Sequence, residues 1–340
     1  MRQAGFQGAE PLTVWAVTDG RAGIENQALG LAEAIARKAP ATITTKRIAL
    51  RSPWRWLPAG LIPTPRAQLS IASDAIDPPW PDIWIGCGRA SVALSMGVRA
   101  WSRGKTFVVQ LQDPKVNPRE FDLVAPPKHD GLEGPNVLPI IGSCHRVTPE
   151  KIAAEVEAFD FGFHELSRPR FALLIGGKSK RQDITPKRAR LIANVISALR
   201  SATNGTILCS LSRRTGDAAR AVFAAHLAPH CAVYYEGEGR NPYFAMLEAA
   251  DAIFVTADSV NMAAEAAATS KPVHILAVDG SAGKIARFHE SLRARGCARP
   301  FRLPLEFWGY PPLLEADRVA AVVLNALAAR HGASGRDIAR

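Results

Sequence analysis

The sequence predicts an α/β protein made of two Rossmann-like domains that face each other across a cleft. Three observations carry this reading. The chain has 340 residues, and at roughly 100–200 residues per domain that length accommodates two cores. In the second half, short apolar runs suited to buried parallel strands recur at 171–175, 206–210, 232–235, 252–256 and 273–278. Segments of helical period lie between them, at 186–200, 215–227, 242–250 and 261–269, which is the alternation of βαβ units in a doubly wound sheet.

The first half repeats the pattern with more interruptions. Strands are predicted at 12–17, 42–49, 82–85, 106–111, 122–125 and 137–140, with a helix at 25–38 and another after Gly88. The Pro- and Trp-rich stretch 52–80 reads as irregular chain with short helical pieces. Thr148, Pro149 and Glu150 open a further helix, Thr as cap and Pro in the first turn. The expected domains are 1–160 and 170–312, joined by a linker at 161–169. A last helix over 313–331 is expected to pack back on the first domain, and 332–340 reads as a disordered tail.

Composition removes several classes. An apolar content of 47% excludes disordered and collagen-like chains. No run approaches the ~18 apolar residues of a membrane span, and the N-terminus lacks the basic-then-apolar pattern of a secretory signal, so a cytoplasmic protein is expected, with peripheral membrane contact open to it. Cys87, Cys144, Cys209, Cys231 and Cys297 are scattered without a C-x-x-C pair, which points to free thiols and no metal site.

The net charge is +11. It is unevenly spread: residues 1–165 hold 18 basic and 17 acidic side chains, the remainder 24 and 14. Without a dense Lys/Arg run, and with 7% aromatics, nucleic acid is not the expected partner. An anionic ligand or an acidic membrane surface fits the excess better.

Ligands of doubly wound sheets bind beyond the strand C-termini, so the loops there are the candidate sites. After the first strand come Asp19, Gly20, Arg21, Gly23, Asn26 and Gln27, where glycines expose backbone N–H groups toward an anion or a sugar hydroxyl. Gly86-Cys87-Gly88-Arg89 partly imitates G-x-G-x-x-G, but the third glycine is Ser91, and close approach of backbone to ligand is the stronger reading. Gln112 and Asp113 end the next strand. His129 beside Asp130 has the makings of an acid/base pair. Asp19, Asp113 and His129 are therefore unranked candidate bases.

In the second domain Gly176-Gly177-Lys178-Ser179-Lys180, followed by Arg181, lacks the spacer of a P-loop but suits a diphosphate. Ser212, Arg213 and Arg214 offer guanidinium forks to phosphate oxygens. Glu236, Asn241 and Tyr243 lie in a flexible loop able to wrap a base or ribose. Asp258 and Ser259 open a helix carrying Glu265, a set that can address phosphate and ribose hydroxyls together.

Taken together, these loops resemble the mitochondrial fission family named after the plant elongated-mitochondria factor, whose bacterial members have been labelled predicted nucleoside-diphosphate-sugar epimerases. The resemblance runs from Asp19-Gly20-Arg21-Ala22-Gly23 through Gln112-Asp113-Pro114 and His145-Arg146-Val147-Thr148. It continues through Ser212-Arg213-Arg214-Thr215 and Asn241-Pro242-Tyr243 to Thr256-Ala257-Asp258-Ser259-Val260. It implies a fold similar to GT-B glycosyltransferases, with the acceptor on the first domain and a nucleotide-sugar on the second, where a carboxylate commonly grips ribose.

Nicotinamide-dependent epimerisation does not fit, because no tyrosine has lysine four residues later. The first glycine loop also lacks the histidine of many peptidoglycan-type GT-B enzymes. Three functions follow as expectations. The first is a metal-independent glycosyltransferase using a UDP- or GDP-type sugar and no further cofactor, with an acceptor the sequence does not name. The second is a noncatalytic protein at a membrane or division apparatus. The third is a nonhydrolysing nucleotide-sugar epimerase or hydrolase of GT-B fold.

Overall fold

In β1 (Leu12–Thr18) residues Leu12, Val14 and Ala16 are buried on one face of the strand, while Thr13 is exposed and Trp15 half-buried. The strand is followed by α1 (Ala22–Ala36), β2 (Ala41–Arg47), β3 (Ile83–Cys87), α2 (Arg89–Trp101), β4 (Phe107–Leu111) and β5 (Leu123–Ala125). Next come α3 (Pro149–Ala158), β6 (Arg170–Ile175), β7 (Gln182–Asp183), α4 (Pro186–Thr203), β8 (Thr206–Leu211), α5 (Asp217–His226) and β9 (Cys231–Tyr235). The chain continues as α6 (Tyr243–Ala249), β10 (Ala252–Thr256), α7 (Val260–Ala267), β11 (Val273–Leu276), β12 (Asp279–Gly280), α8 (Ile285–Ala294), β13 (Ala298–Pro300) and α9 (Glu315–Asp337). The computed structural model describes residues 10–159, 162–163, 165–179, 181–281 and 283–337.

Two units result, one of Met1–Arg146 with Leu314–Arg340, the other Val147–Leu313. The first holds a five-stranded parallel sheet in the order β2-β1-β3-β4-β5, with Val14 opposite both Ile43 and Ile83. One face packs on α1 through Ala28, Leu31 and Ile35. The same core takes Ala316, Val319, Ala320, Val323, Leu324 and Leu327 of α9, a spacing of three and four that places all six on one helical stripe. Burying each Val or Leu contributes roughly 1.5–3 kcal/mol, and Arg37 pins the start of α9 through Asp317 at 3.0 Å. The other face buries Trp84 and Val108 against Val92, Leu94 and Val98, and Trp84 donates its indole N–H to Ser95 at 2.8 Å.

The second unit carries six parallel strands in the order β13-β11-β10-β6-β8-β9. Phe171, Leu173 and Ile175 of β6 pack against Ile192, Ala193 and Ile196 of α4, while β7 and β12 pair antiparallel outside this sheet.

Several expectations change. The division falls at Arg146, not at residue 160, because α3 belongs to the second unit: Phe159 and Phe163 pack with Leu208, Ala245 and Met246 beyond it. Thr148 caps α3 by accepting the Lys151 N–H at 3.2 Å. The expected linker therefore lies inside the second unit, where Arg168 pairs with Asp251; its residues 161 and 164 lie outside the described residues. Residues 137–140 form single bridges to Val124 and Pro127 and no strand, since Pro139 removes a ladder donor. The expected tail is helical to Asp337, and 338–340 lie outside the described residues. The stretch 52–80 contains three 3-10 turns, at Trp54–Trp56, Ala59–Leu61 and Pro65–Gln68.

Candidate functional site

Each of the two parallel sheets reverses its strand order at one place, and some of the predicted loops meet there. In the second unit the reversal lies between β6 and β10, whose C-terminal ends lead into Gly176-Gly177 and Asp258-Ser259. The Gly176 N–H donates to Thr256 Oγ1 at 2.7 Å and the Gly177 N–H to Asp258 Oδ2 at 2.8 Å. A Cβ on Gly176 would stand 2.2 Å from Asp258 Oδ2, and one on Gly177 2.1 Å from the Arg214 carbonyl. Both glycines are thus required by close approach.

Asp258 was expected to address a ligand. Its side chain is fully buried, and Oδ2 also accepts from Arg214 Nη2 at 3.2 Å. This carboxylate holds the glycine loop and the β8 loop together. Arg214 itself bonds the Gly177 and Lys178 carbonyls, and its own carbonyl accepts the Lys178 N–H at 3.0 Å. Ser212 is spent locally on the Arg214 N–H. Lys178 and Arg213 are exposed and have no carboxylate partner among the described residues. Lys180 lies outside the described residues.

Glu265 and Tyr243 come together: the Tyr243 hydroxyl donates to Glu265 Oε2 at 2.7 Å. Burial raises the Glu265 carboxyl to about 7, against the lowering effect of the tyrosine bond. Burial and the nearby Glu265 charge push the Tyr243 hydroxyl well up, so it remains a donor. Ser259 is buried but makes no side-chain cap on α7. Asn241 accepts the Tyr243 N–H, and Glu236 is exposed, contributing its carbonyl to Arg220.

Arg220 was missed by the sequence reading. From the first turn of α5 it bonds the carbonyls of Ser212, Thr215 and Glu236, tying the β8 and β9 loops together. An arginine on an otherwise ordinary amphipathic helix carries no local signal of that role. His289 was missed too; its Nε2 meets the Ala257 carbonyl at 2.8 Å, and burial holds its ring below the usual histidine range.

In the first unit the reversal lies between β1 and β3. Asp19, at the end of β1, pairs with Arg21 at 2.6 Å and lies near Gly88, which adopts φ +85° where a Cβ would be 3.5 Å from Asp19 Oδ2. Gln27 donates to the Gly23 carbonyl and accepts from Gln112 Nε2 at 3.1 Å, and the Cys87 thiol, kept protonated by burial, reaches the same Gln27 oxygen at 3.8 Å. Gln112 takes φ +68° at the end of β4. Asp19, Gly23, Gln27, Gly88 and Gln112 therefore form one polar cluster at the strand ends. Gly20 and Arg21 are exposed beside it and Asn26 is half-buried.

Other expected members stand apart. Arg89 is turned to the carbonyls of Trp56 and Leu57. Asp113 is tied to Lys115. His129, 7% exposed in a 3-10 turn after β5, is three strand positions from Asp19, about 14 Å at ~4.8 Å per strand. The three candidate bases do not form one group. No cluster of three His, Cys, Asp or Glu side chains placed to hold a metal occurs among the described residues.

The sheet orders, the glycine loops at both reversal points and the two-unit chain define a class: a GT-B-type α/β protein. In agreement, the UDP-GlcNAc 2-epimerase of Methanocaldococcus jannaschii, solved with UDP-GlcNAc and UDP, is similar over 92% of this chain and 100% of its own, at 11% identity and a TM-score of 0.50. That likeness is one of fold. The family model for mitochondrial fission ELM1 matches residues 22–327, and the chain belongs to that family. Relatives include the mitochondrial fission protein ELM1 of Arabidopsis thaliana, 29% identical over 77% of this chain and 67% of that one. An uncharacterized Rickettsia prowazekii protein, RP120, is 27% identical over 93% and 99%. No helix among the described residues is long and apolar enough to cross a membrane.

Proposed function

We propose that the second unit binds a nucleoside-diphosphate sugar and that the protein transfers the sugar to an acceptor hydroxyl. One observation carries this reading: the Gly176-Gly177 turn is fixed at the strand reversal by Asp258, Thr256 and Arg214, with Lys178 exposed at its outer end and without a carboxylate partner among the described residues. With the N–H groups of Gly176, Gly177 and Lys178 spent on Thr256, Asp258 and Arg214, an anion at this turn is met by the Lys178 ammonium and not by backbone. The solved neighbour bound to UDP-GlcNAc and UDP has the same fold and supports the ligand class.

In the proposed reaction the acceptor oxygen attacks the anomeric carbon as the bond to the diphosphate breaks. The nucleoside diphosphate leaves with the electron pair, stabilised by Lys178 and Arg213. The acceptor proton passes to a base; Asp19 and Asp113 are both ion-paired, with Arg21 and Lys115, and His129 is buried, so none of the three is singled out. A thermal-shift panel of UDP, GDP, ADP and their sugars tests the reading. Saturation at a hundredfold Kd adds about 2.7 kcal/mol, a rise of roughly 5–10 °C for a unit of this size. No shift with any of them at millimolar concentration refutes it. Conversion of UDP-GlcNAc without an acceptor would favour epimerase or hydrolase chemistry instead.

A second reading, peripheral contact with an anionic membrane, is favoured by a different observation. Residues 51–73 contain three arginines and no acidic residue, and they display Trp56, Leu61 and Ile71 to solvent. Flotation with anionic liposomes at low salt, lost in W56S/I71S, is the expected result; recovery of wild type only in the unbound fraction sinks it.

A further inference from the structure

The connection that leads from β2 to β3 leaves the C-terminal end of β2. Because β1 to β5 run parallel, that end lies on the same sheet edge as the loops holding Asp19, Gly88 and Gln112. Specific contacts fix residues 51–73 there. Arg89, the neighbour of Gly88 and first residue of α2, donates through Nη2 to the Trp56 carbonyl at 2.6 Å and the Leu57 carbonyl at 3.0 Å. A Cβ on Gly60 would stand 3.8 Å from Val116, in the loop that follows Gln112. At the base of the segment the Arg51 N–H donates to the Gln68 carbonyl and its Nη2 to Gln68 Oε1, both at 2.9 Å. Trp56 is thus tethered to the polar cluster by one arginine side chain.

The segment uses only part of its apolar content to fold. Leu50, Ile62 and Ala93 form a small buried core against which Trp54, Leu57, Ala59 and Leu69 are half-buried. Trp56, Leu61 and Ile71 lie outside that core and are 66%, 65% and 106% exposed. The charged residues of 51–73 are Arg51, Arg55 and Arg66. Arg66 is paired with Asp77 and Arg51 is bonded to Gln68, whereas Arg55 is exposed, has no carboxylate partner among the described residues, and stands 4.5 Å over the Trp56 ring. An exposed tryptophan beneath an arginine, with Leu and Ile beside it, suits the boundary between lipid phosphates and acyl chains.

The two features share an edge, and that has a chemical consequence. An interfacial segment sinks roughly 5–10 Å into the boundary of head groups and acyl chains. With Trp56, Leu61 and Ile71 at that depth, the cluster of Asp19, Gly88 and Gln112 is brought to the level of the head groups. A water-soluble acceptor has no use for such an edge, whereas an acceptor anchored in the bilayer meets the cluster without leaving it.

We infer that the acceptor hydroxyl belongs to the head group of a membrane amphiphile, which the first-unit cluster receives while residues 51–73 rest in the bilayer surface. The inference rests on the transfer and membrane readings above and names the acceptor class that joins them. The reaction is balanced as before: the head-group oxygen bonds to the anomeric carbon, the bond to the diphosphate breaks, and the hydroxyl proton goes to a base. The glycosylated amphiphile stays in the membrane.

Hydrogen exchange on vesicles of phosphatidylglycerol and phosphatidylcholine tests the geometry without any donor. The amides of 20–24 and 88–91 are expected to slow together with those of 51–73; protection confined to 51–73 overturns the inference and leaves the membrane reading intact, and no protection anywhere overturns both. Transfer is read with the radiolabelled nucleotide-sugar that the thermal-shift panel selects, offered with the total lipid, the aqueous extract or the delipidated residue of the cells the protein comes from. Label is expected in the lipid fraction, reduced about tenfold or more in W56S/I71S, a variant that should melt with wild type because both side chains are exposed. Label confined to the aqueous extract or the residue, or lipid label indifferent to W56S/I71S, overturns the inference while transfer stands. No label in any fraction refutes transfer and the inference with it.

Discussion

Replacing Asp258 by alanine removes the side chain bonded to the Gly177 N–H and leaves that donor buried. Its side chain is fully buried, with Oδ2 2.8 Å from the Gly177 nitrogen and 3.2 Å from Arg214 Nη2. An unsatisfied buried donor costs about 1–3 kcal/mol, and a hydrogen bond to a charged group contributes about 1.5–3 kcal/mol. The Arg214 end is partly exposed and adds about 1 kcal/mol at most. D258A should therefore lose roughly 2–4 kcal/mol. For a unit of this length that lowers Tm by roughly 5–15 °C. D258N retains an acceptor for Gly177 and should lose about 1 kcal/mol, most of it from the Arg214 pair. Urea unfolding followed by tryptophan fluorescence and circular dichroism gives both values, with the m-value checking that the unfolding transition itself is unchanged. A D258A midpoint equal to wild type, or D258N as damaged as D258A, would refute the account of Asp258 as the post that holds the loops. Ligand contact by Asp258 alone predicts normal stability in both variants.

The remaining predictions concern packing and pH. Gly177→Ala places a methyl group 2.1 Å from the Arg214 carbonyl, so it should cost about 1–3 kcal/mol by overpacking and shift the loop, which the same urea titration reads. Leu327→Ala on α9 empties a fully buried position in the first core and should lose about 2–5 kcal/mol; a loss under 0.5 kcal/mol would mean that the helix is dispensable to that core. Glu265 titrates at about 7 when folded, above its ordinary value. Its stabilising contribution is therefore present at low pH, below the unfolded carboxylate value, and is lost as pH rises toward and through 7. His274 is depressed to about 4 by burial and acts oppositely, losing its contribution as pH falls from the usual histidine range through 4. The difference between wild type and E265Q isolates the carboxyl: wild type should fall in stability relative to E265Q between pH 5 and 8, and parallel profiles would contradict it.

How much of this was legible follows from the range over which each signal acts. Strand and helix alternation is local, so the runs at 171–175 and 252–256 predicted β6 and β10 almost to the residue, and loop glycines such as Gly176, Gly177 and Gly88 marked the strand ends. Two-residue β7 and β12 have no period to detect. Their pairing joins Asp183 to Asp279 across almost a hundred residues, a contact that no local pattern announces. The division at Arg146 escaped for a related reason. Phe159 looks like the end of a first-domain helix, and Phe163 like part of a linker, until their partners Leu208 and Met246 are known.

Asp258 shows a subtler limit. An Asp before a helix at a strand end reads equally well as a ligand group or as a scaffold, since both uses place a carboxylate among backbone N–H groups. What separates them is the identity of the N–H that it meets. Here that N–H belongs to Gly177, 81 residues earlier in the chain, and the carboxylate serves the loop that the ligand would touch. The same reasoning redistributes the positive charge. Arg214 and Arg220 bond backbone carbonyls, Arg168 and Arg188 are paired with carboxylates, and around the glycine turn Lys178, Arg181 and Arg213 are exposed without a carboxylate partner among the described residues. Substituting those three should weaken ligand binding with little change in Tm, whereas R220M should lower Tm by opening the β8 and β9 loops. If R220M melted normally while K178M unfolded, the division of the cations into scaffold and site would be wrong.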